Sequence, residues 1–517
     1  MAFIDKMENI LNEDHNTSIT ENGAVGYEHT NSALLDINFK VPSYRKVSLS
    51  TISADFKKAL LEDEVLALKW AFYLRDVREG LGERRSFRAI IAYLGNAYPE
   101  IMRKLISLVP EYGRFDDLYV LFGTKVEVDA LSYIWSQIEK DCELQRAGKP
   151  ISLLAKWLPS ENASSAETKA YAKKIRNYMK MSSKDYRKYL SSARNYLKVV
   201  ERNMSANNWR EISYEAVPSR ANLNYNNAFL RHDEDRRRAY LDSLSKGETK
   251  INAGTLYPYD IVHKYTANSK YGWSTKAIEK IDDTLEALWK ALPNKVTDGS
   301  NTIVVADGSG SMTSPVSKSG VTALDVANSL AIYFAERAQG EFKNKYITFS
   351  GRPQLVNLNG KSLRDNIEIA FKHNEVANTN VKAVFELILK TAVNNHMTQE
   401  EIPQNILIVS DMEFDSATCS DGSYYSRPGD VDAKLFKVIA QKYAKAGYKL
   451  PRLVFWNVNS RTNTIPVTQN ENGVILIGGF SVNLFNMVLS NETDPYKALI
   501  AELNKERYNA VAEAIAK

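Results

Sequence analysis

Cysteine is almost absent from this 517-residue chain: Cys142 and Cys419 are the only two, far apart in sequence. A disulfide framework or a cysteine-based zinc site is therefore excluded as the basis of the fold. Histidine is equally sparse. His15, His29, His232, His263, His373 and His396 are scattered, never at the paired spacing of a metalloprotease. No apolar run reaches the roughly 18 residues of a membrane-spanning helix. The opening MAFIDKMENILNEDHN carries acids where a secretory signal needs a basic and then an apolar stretch, so a soluble cytoplasmic protein with no membrane partner is expected. Neither charge sign dominates, and a net charge of +5 decides nothing by itself. What is present is the composition of an ordinary soluble protein, in a chain too long for one compact core, which points to two or three domains.

The most informative stretch is Asn301 to Met312, NTIVVADGSGSM. Its β-branched run reads as a buried strand, after which the chain breaks into a loop with Asp307, Ser309 and Ser311 at alternate positions. A hard divalent cation takes oxygen ligands and keeps several waters, so a carboxylate and two hydroxyls on one tight turn suit Mg²⁺, with Mn²⁺ or Ca²⁺ as alternatives. Gly308 and Gly310 let the backbone fold closely around such an ion. Two partners follow downstream. A second apolar run, Asn405 to Ser410, leads straight into Asp411, and a loop holding Thr379 precedes a helix-like segment. An open α/β sheet would bring all three to its carboxyl edge.

These residues resemble the metal-ion-dependent adhesion site of von Willebrand factor A domains. The resemblance implies that Ser309, Ser311 and Thr379 touch the metal directly, while Asp307 and Asp411 act largely through water. Thr391 and Thr398 lie in the same region as alternatives to Thr379. Glu413 and Asp415 either add metal oxygens or cap the following turn, the cap being the preferred reading.

The expected organisation is a polar N-terminal arm over residues 1–50, an α-helical repeat domain over 51–294, and an A-type α/β domain over 295–517. In the second, helical patterns recur between turns, beginning near Ser53 as an N-cap and passing through RDVREGLGERR and PEYGRFDDL, as in an α-solenoid. From Lys169 to Arg238, 17 Lys/Arg stand against 7 Asp/Glu with tyrosines interleaved, the pattern a single-stranded nucleic acid would use. Lys173, Lys174, Arg187 and Lys188 are the candidate contacts; equally, at helical spacing, the tyrosines are core and the cations a solvated face. In the last part, strands at Thr302 to Ala306, Lys345 to Ser350, Gln354 to Asn357, Asn405 to Ser410, Arg452 to Val458 and Val474 to Ile477 alternate with helices, the last running from Pro495 to Ala516. The strand after Gly351-Arg352-Pro353 is expected at an edge.

RDVREGLGERR (Arg75 to Arg85), PEYGRFDDL (Pro110 to Leu118), LLAKWLPS (Leu153 to Ser160), VPSRAN (Val217 to Asn222), FLRHD (Phe229 to Asp233) and KINAGTLYPYDIV (Lys250 to Val262) resemble signature segments of a plant, fungal, bacterial and viral family of unknown function. That family is similar in layout to the Ro autoantigen, whose TROVE module of HEAT-like helical repeats forms a ring closed by an A domain of doubly wound, Rossmann-like α/β fold. The resemblance implies a ribonucleoprotein role with structured or single-stranded RNA, and an acidic protein ligand completing the metal sphere.

Enzyme readings fail on single residues. Val305 stands where a haloacid dehalogenase-type phosphatase needs its nucleophilic aspartate, and Leu355 where a phosphate-binding P-loop needs its first glycine. No serine or cysteine nucleophile motif has a histidine base beside it. Two functions remain: a Ro-like RNA-binding protein with a metal-dependent docking domain, or a non-enzymatic scaffold in which an acidic partner residue completes the metal site.

Overall fold

Six short apolar runs assemble into one sheet: β1 (Thr302–Asp307), β2 (Lys345–Phe349), β3 (Gln354–Asn357), β4 (Asn405–Ser410), β5 (Arg452–Asn457) and β6 (Val474–Gly478). The computed structural model describes residues 16, 18–21, 25–267, 280–296, 301–317, 319–349, 352–374, 381–414, 433–466, 473–490 and 492–516. The strand order is β3-β2-β1-β4-β5-β6. All neighbours are parallel except β2 and β3, so the sheet is mixed, with an antiparallel strand at the edge where Leu355 is exposed. β1 and β4 are apolar along their length because the sheet's centre is buried on both faces, and they pair in register from Thr302↔Asn405 to Ala306↔Val409. The strand order reverses between them, leaving a crevice beyond their carboxyl ends.

The helix Ala323–Arg337 follows β1 and is buried along almost its whole length. Thr322 and Asp325 close its first turn as a capping box: Asp325 N donates to Thr322 Oγ1 (3.1 Å) and Thr322 N to Asp325 Oδ2 (3.0 Å). Two further helices pack on this one. From Pro258–Thr266, Thr266 Oγ1 donates to Asp325 Oδ1 at 2.9 Å. From Asp283–Lys290, Trp289 Nε1 donates to Glu336 Oε2 at 2.7 Å.

The chain divides into two compact units, and neither is continuous in sequence. The sheet unit takes the residues up to Ser48, Asp55–Asp63 and Leu256–Glu502; the helical unit takes Leu49–Ala54, Glu64–Thr255 and Leu503–Lys517. This differs from the expected linear division in three places. The boundary falls at 255/256 rather than in the polar stretch at 293–300, because Ile261, Val262 and Tyr265 are buried against the sheet unit's own helix. The expected polar arm contains a helix, Ala33–Phe39, that buries Leu34, Leu35, Ile37 and Phe39. It is held by Glu62, which accepts from Ser32 Oγ (2.7 Å) and Ala33 N (2.6 Å), and by Asn457, whose Nδ2 donates to Phe39 O at 3.0 Å. Finally, the expected helix from Pro495 to Ala516 breaks after Leu503 and resumes at Asn509–Ala516 in the other unit. Ser53, expected as a cap, lies inside the helix Leu49–Glu62.

The helical unit contains no strand among its described residues. Helices Glu64–Arg75 and Arg84–Ala97 bury a shared face that includes Trp70, Phe72, Phe87 and Ile90. Residues 503–516 lock onto it. Arg507 pairs with the buried Asp76 through Nε and, at 3.0 Å, through Nη2, while Tyr508 Oη donates to Asp76 Oδ2 at 3.3 Å. Tyr508 also stacks on Tyr112 at 5.8 Å. Among the described residues no helix is long and apolar enough to cross a membrane. Replacing one partner of a buried ion pair strands the other, so Asp76→Ala is expected to weaken the helical unit by about 3 kcal/mol or more. Hydrogen exchange should show reduced protection in Glu64–Arg75 and Asn509–Ala516 with the sheet strands unchanged; unaltered protection there would refute the lock.

Candidate metal centre

Asp307 ends β1 and Asp411 directly follows β4, so the parallel register delivers both carboxylates to the crevice where the strand order reverses. Both are buried. Asp307 accepts from Ser309 N (2.9 Å) and Ser410 Oγ (2.6 Å). Ser309 Oγ and Ser311 Oγ are 3.0 Å apart. Asp411 Oδ1 accepts from Glu413 N at 3.2 Å, whereas Asp411 Oδ2 is buried with no hydrogen-bond donor and has Arg461 Nη1 at 3.4 Å. Met412 is held at φ 61°, a left-handed conformation uncommon for a bulky residue, and its amide donates to Ser410 Oγ at 3.0 Å. This backbone strain sits where the chain turns away from the carboxylate.

Burial, reinforced by the neighbouring Asp411, holds the Asp307 carboxyl well above its ordinary range. Burial likewise raises Asp411, opposed by Ser311 and Arg461. Two adjacent buried carboxylates favour a proton or a cation between them. Among the described residues no three His, Cys, Asp or Glu side chains gather as a cation site, so any cation here must draw on hydroxyls as well. The oxygens present, two carboxylates and the Ser309 and Ser311 hydroxyls, are hard donors that fit Mg²⁺, Mn²⁺ or Ca²⁺. Thr379 and Asp415 lie outside the described residues. The alternatives to Thr379 do not reach the crevice. Thr391 bonds to its own helix through Leu387 O. Thr398 lies beside Tyr448 and Lys449, before the amino ends of β4 and β5, roughly 20 Å of strand away from Asp411.

Two contributors escaped the sequence reading, while Glu413 takes a capping role. Ser410 orients Asp307. Arg461, a lone cation in a polar loop with no motif to signal it, faces Asp411 and pairs with Glu21. Glu413 is buried and accepts from Arg461 N (2.7 Å), Thr462 N (3.0 Å) and Glu21 N (2.8 Å). It therefore caps the turn that presents Arg461, and its oxygens are engaged there.

The candidate nucleic-acid contacts fare unequally. Lys173, Arg187 and Lys188 are exposed on the helices Ala166–Tyr178 and Ser183–Tyr196. Lys174 is half-buried and paired with Glu127 at 2.7 Å. Most interleaved aromatics face inward: Tyr186 is buried with its hydroxyl on Pro159 O (2.8 Å), and Tyr171 packs against Tyr119 and Phe122. Tyr178 remains exposed.

Two family models match the chain and meet at residue 301, which lies inside the sheet unit and not at its 255/256 boundary. The chain is similar along its length to a viral protein. The uncharacterized protein L728 of Acanthamoeba polyphaga mimivirus is 29% identical over 539 residues, spanning 96% of this chain and 89% of that one. Residues 301–514 match a domain of unknown function, DUF7788, and residues 20–111 and 151–301 match a second, DUF2828. Among solved structures, the Deinococcus radiodurans Ro (RSR) protein aligns with a TM-score of 0.43 and 13% identity, over 87% of this chain and 93% of that one.

The helix behind the metal loop carries a titratable latch. His263 Nδ1 lies 3.0 Å from Asp325 Oδ2, and this bond raises the imidazole pKa above its ordinary value against partial burial and Lys264. A raised histidine stabilises the fold fully below the unfolded pKa of about 6.5, and that contribution is lost as pH climbs through the folded value. The sheet unit is therefore expected to lose stability as pH rises above about 6.5. His263→Gln should flatten that slope in urea titrations; an unchanged slope would rule the latch out.

Proposed function

We propose that this chain is a non-catalytic, Ro-like RNA-binding protein. Its sheet unit acts as a von Willebrand factor A-type domain that holds a divalent cation for partner docking. The observation that carries the reading is the buried Asp411 Oδ2, which has no donor and lies beside Asp307 at the crevice of a sheet whose loop offers two serine hydroxyls. A bound cation would supply a positive centre with a position open to a carboxylate from an acidic partner. Asp307 and Asp411 hold the negative charge that attracts it; Ser309 and Ser311 offer neutral oxygens, and Ser410 fixes the Asp307 rotamer. Among the described residues none in the crevice is placed as an activated nucleophile, which favours binding over catalysis.

Calorimetry with Mg²⁺ and Mn²⁺ on the full chain is the direct test, because the sheet unit includes residues before Ser48. Asp307→Ala, or Ser309→Ala with Ser311→Ala, should reduce affinity about ten- to hundredfold while the helical unit keeps its circular dichroism. Unchanged affinity would remove the site.

RNA binding rests on the exposed cations of the helical unit. Reversing Lys173, Arg187 and Lys188 to Glu should weaken gel shifts and lower the salt dependence by about one unit of slope for each phosphate that is no longer neutralised. Shifts identical to wild type would favour the second reading, a protein scaffold, which the inward-facing tyrosines support. In that case partner capture disappears with chelator.

A further inference from the structure

Three segments of the helical unit, at residues 75, 84–88 and 114–117, meet at one point. Arg75 closes the helix Glu64–Arg75, Arg84 and Arg88 open Arg84–Ala97, Arg114 precedes the 3-10 helix Phe115–Leu121, and Asp116 and Asp117 lie in its first turn. Trp157 ends the short helix Leu154–Trp157. The cluster is layered. At its floor the fully buried Asp117 accepts from Arg75 Nε (2.8 Å), Arg88 Nε (2.6 Å) and Arg84 Nε (3.3 Å). Gly113 permits that approach, since a Cβ there would stand 2.6 Å from Asp117 Oδ2. Above it Asp116 pairs with Arg84 Nη2 and, at 3.2 Å, with Arg88 Nη2. The rim is open, with the side chains of Arg88, Arg114 and Arg84 respectively 27%, 33% and 38% exposed.

Two features set this cluster apart from a structural ion pair. Its ion pairs join four guanidiniums to two carboxylates, a surplus of two positive charges. Arg114 also keeps unused donors. Its guanidinium lies over the Trp157 ring at 4.3 Å, and its Nε is buried without a hydrogen-bond acceptor, 3.5 Å from Asp116 Oδ1 but without bonding geometry. Burial and the neighbouring Arg84 and Arg75 lower its pKa, so an arriving anion would relieve the repulsion. By contrast, Asp76 and Arg507 in the same unit match one for one.

We propose that Arg84, Arg88 and Arg114 form a cradle for a phosphate monoester dianion, with Asp116 and Asp117 holding the guanidiniums in position and Trp157 backing Arg114. The planar guanidinium fork matches phosphate oxygens in pairs, and a doubly charged monoester meets the surplus that a singly charged diester only halves. Two sources share this chemistry: free phosphate and the terminal phosphate of a nucleotide. The cradle lies in the helical unit and does not depend on the metal reading.

The test is calorimetry on the full chain with inorganic phosphate, adenosine 5′-monophosphate and the 3′,5′-cyclic diester as probes. At least one monoester-type probe should bind, with the cyclic diester about tenfold or more weaker. Tighter binding of the nucleotide than of phosphate assigns the source to a nucleotide end; equal binding assigns it to free phosphate. Arg84→Gln with Arg114→Gln should lower affinity about ten- to hundredfold while circular dichroism shows the helical unit still folded, and Arg114→Lys, which leaves the partners of Asp117 in place, should fall between that pair and wild type. Asp307→Ala should leave phosphate binding intact. Absence of binding by both phosphate and the nucleotide, or equal affinity in the double variant, overturns the cradle.

Discussion

Two like charges buried side by side form the constraint on which the sheet unit turns. Asp307 and Asp411 are 1% and 0% exposed, and each raises the cost of ionising the other. The fold accepts this cost at the ends of its two central strands, where the order of connections reverses. Around the pair, donors are rationed. Asp307 has Ser309 and Ser410, Asp411 has one amide with the Ser311 hydroxyl beside it, and among the described residues Asp411 Oδ2 has no donor in bonding geometry. Arg461 stands close enough to moderate the charge but does not bond to that oxygen.

The helical unit shows the same logic with the sign reversed. Around Asp76 the charges match one to one and a tyrosine hydroxyl fills the remaining acceptor capacity, as expected of a group whose task is to hold the C-terminal residues in place. Around Asp116 and Asp117 guanidiniums outnumber carboxylates and the rim is open. The difference between a balanced, closed cluster and an unbalanced, open one separates an ion pair that maintains the fold from one prepared to receive a counter-charge. In both units the charged groups sit on rigid element ends, at strand termini in one and in first helical turns in the other, which limits the rearrangement a ligand would demand.

How far the chain could be read depended on whether its signals were local. The six strands were legible because β-branched runs such as Thr302 to Val305 have few alternatives to a buried strand, and the edge position of β3 followed from the proline before it. The loop bearing Asp307, Ser309 and Ser311 was legible for the same reason. The helix Ala33–Phe39 was not, because five buried positions lie inside a stretch whose average composition is polar. Nor was the break after Leu503: helical periodicity continues through Arg507 and Tyr508, and only their bond to Asp76, more than 400 residues earlier, shows that they serve a different unit. For the basic tract between Lys169 and Arg238 the sequence left both readings of its tyrosines open, since a period of 3.6 locates a face but not whether that face meets solvent or a neighbouring helix; Tyr186 and Tyr171 pack inward.

By itself, then, the sequence determined the six strands of the sheet and the loop that places Asp307, Ser309 and Ser311 at alternate positions, because backbone preference and side-chain chemistry are properties of neighbouring residues. Only the tertiary structure decided that the chain passes repeatedly between units, that Arg461 and Ser410 attend the carboxylates, and that three arginine-bearing segments share two aspartates. Those outcomes depend on which buried charge finds which counter-charge across the fold. Coulombic pairing of that kind depends on distance in space, and spacing along the chain does not encode it.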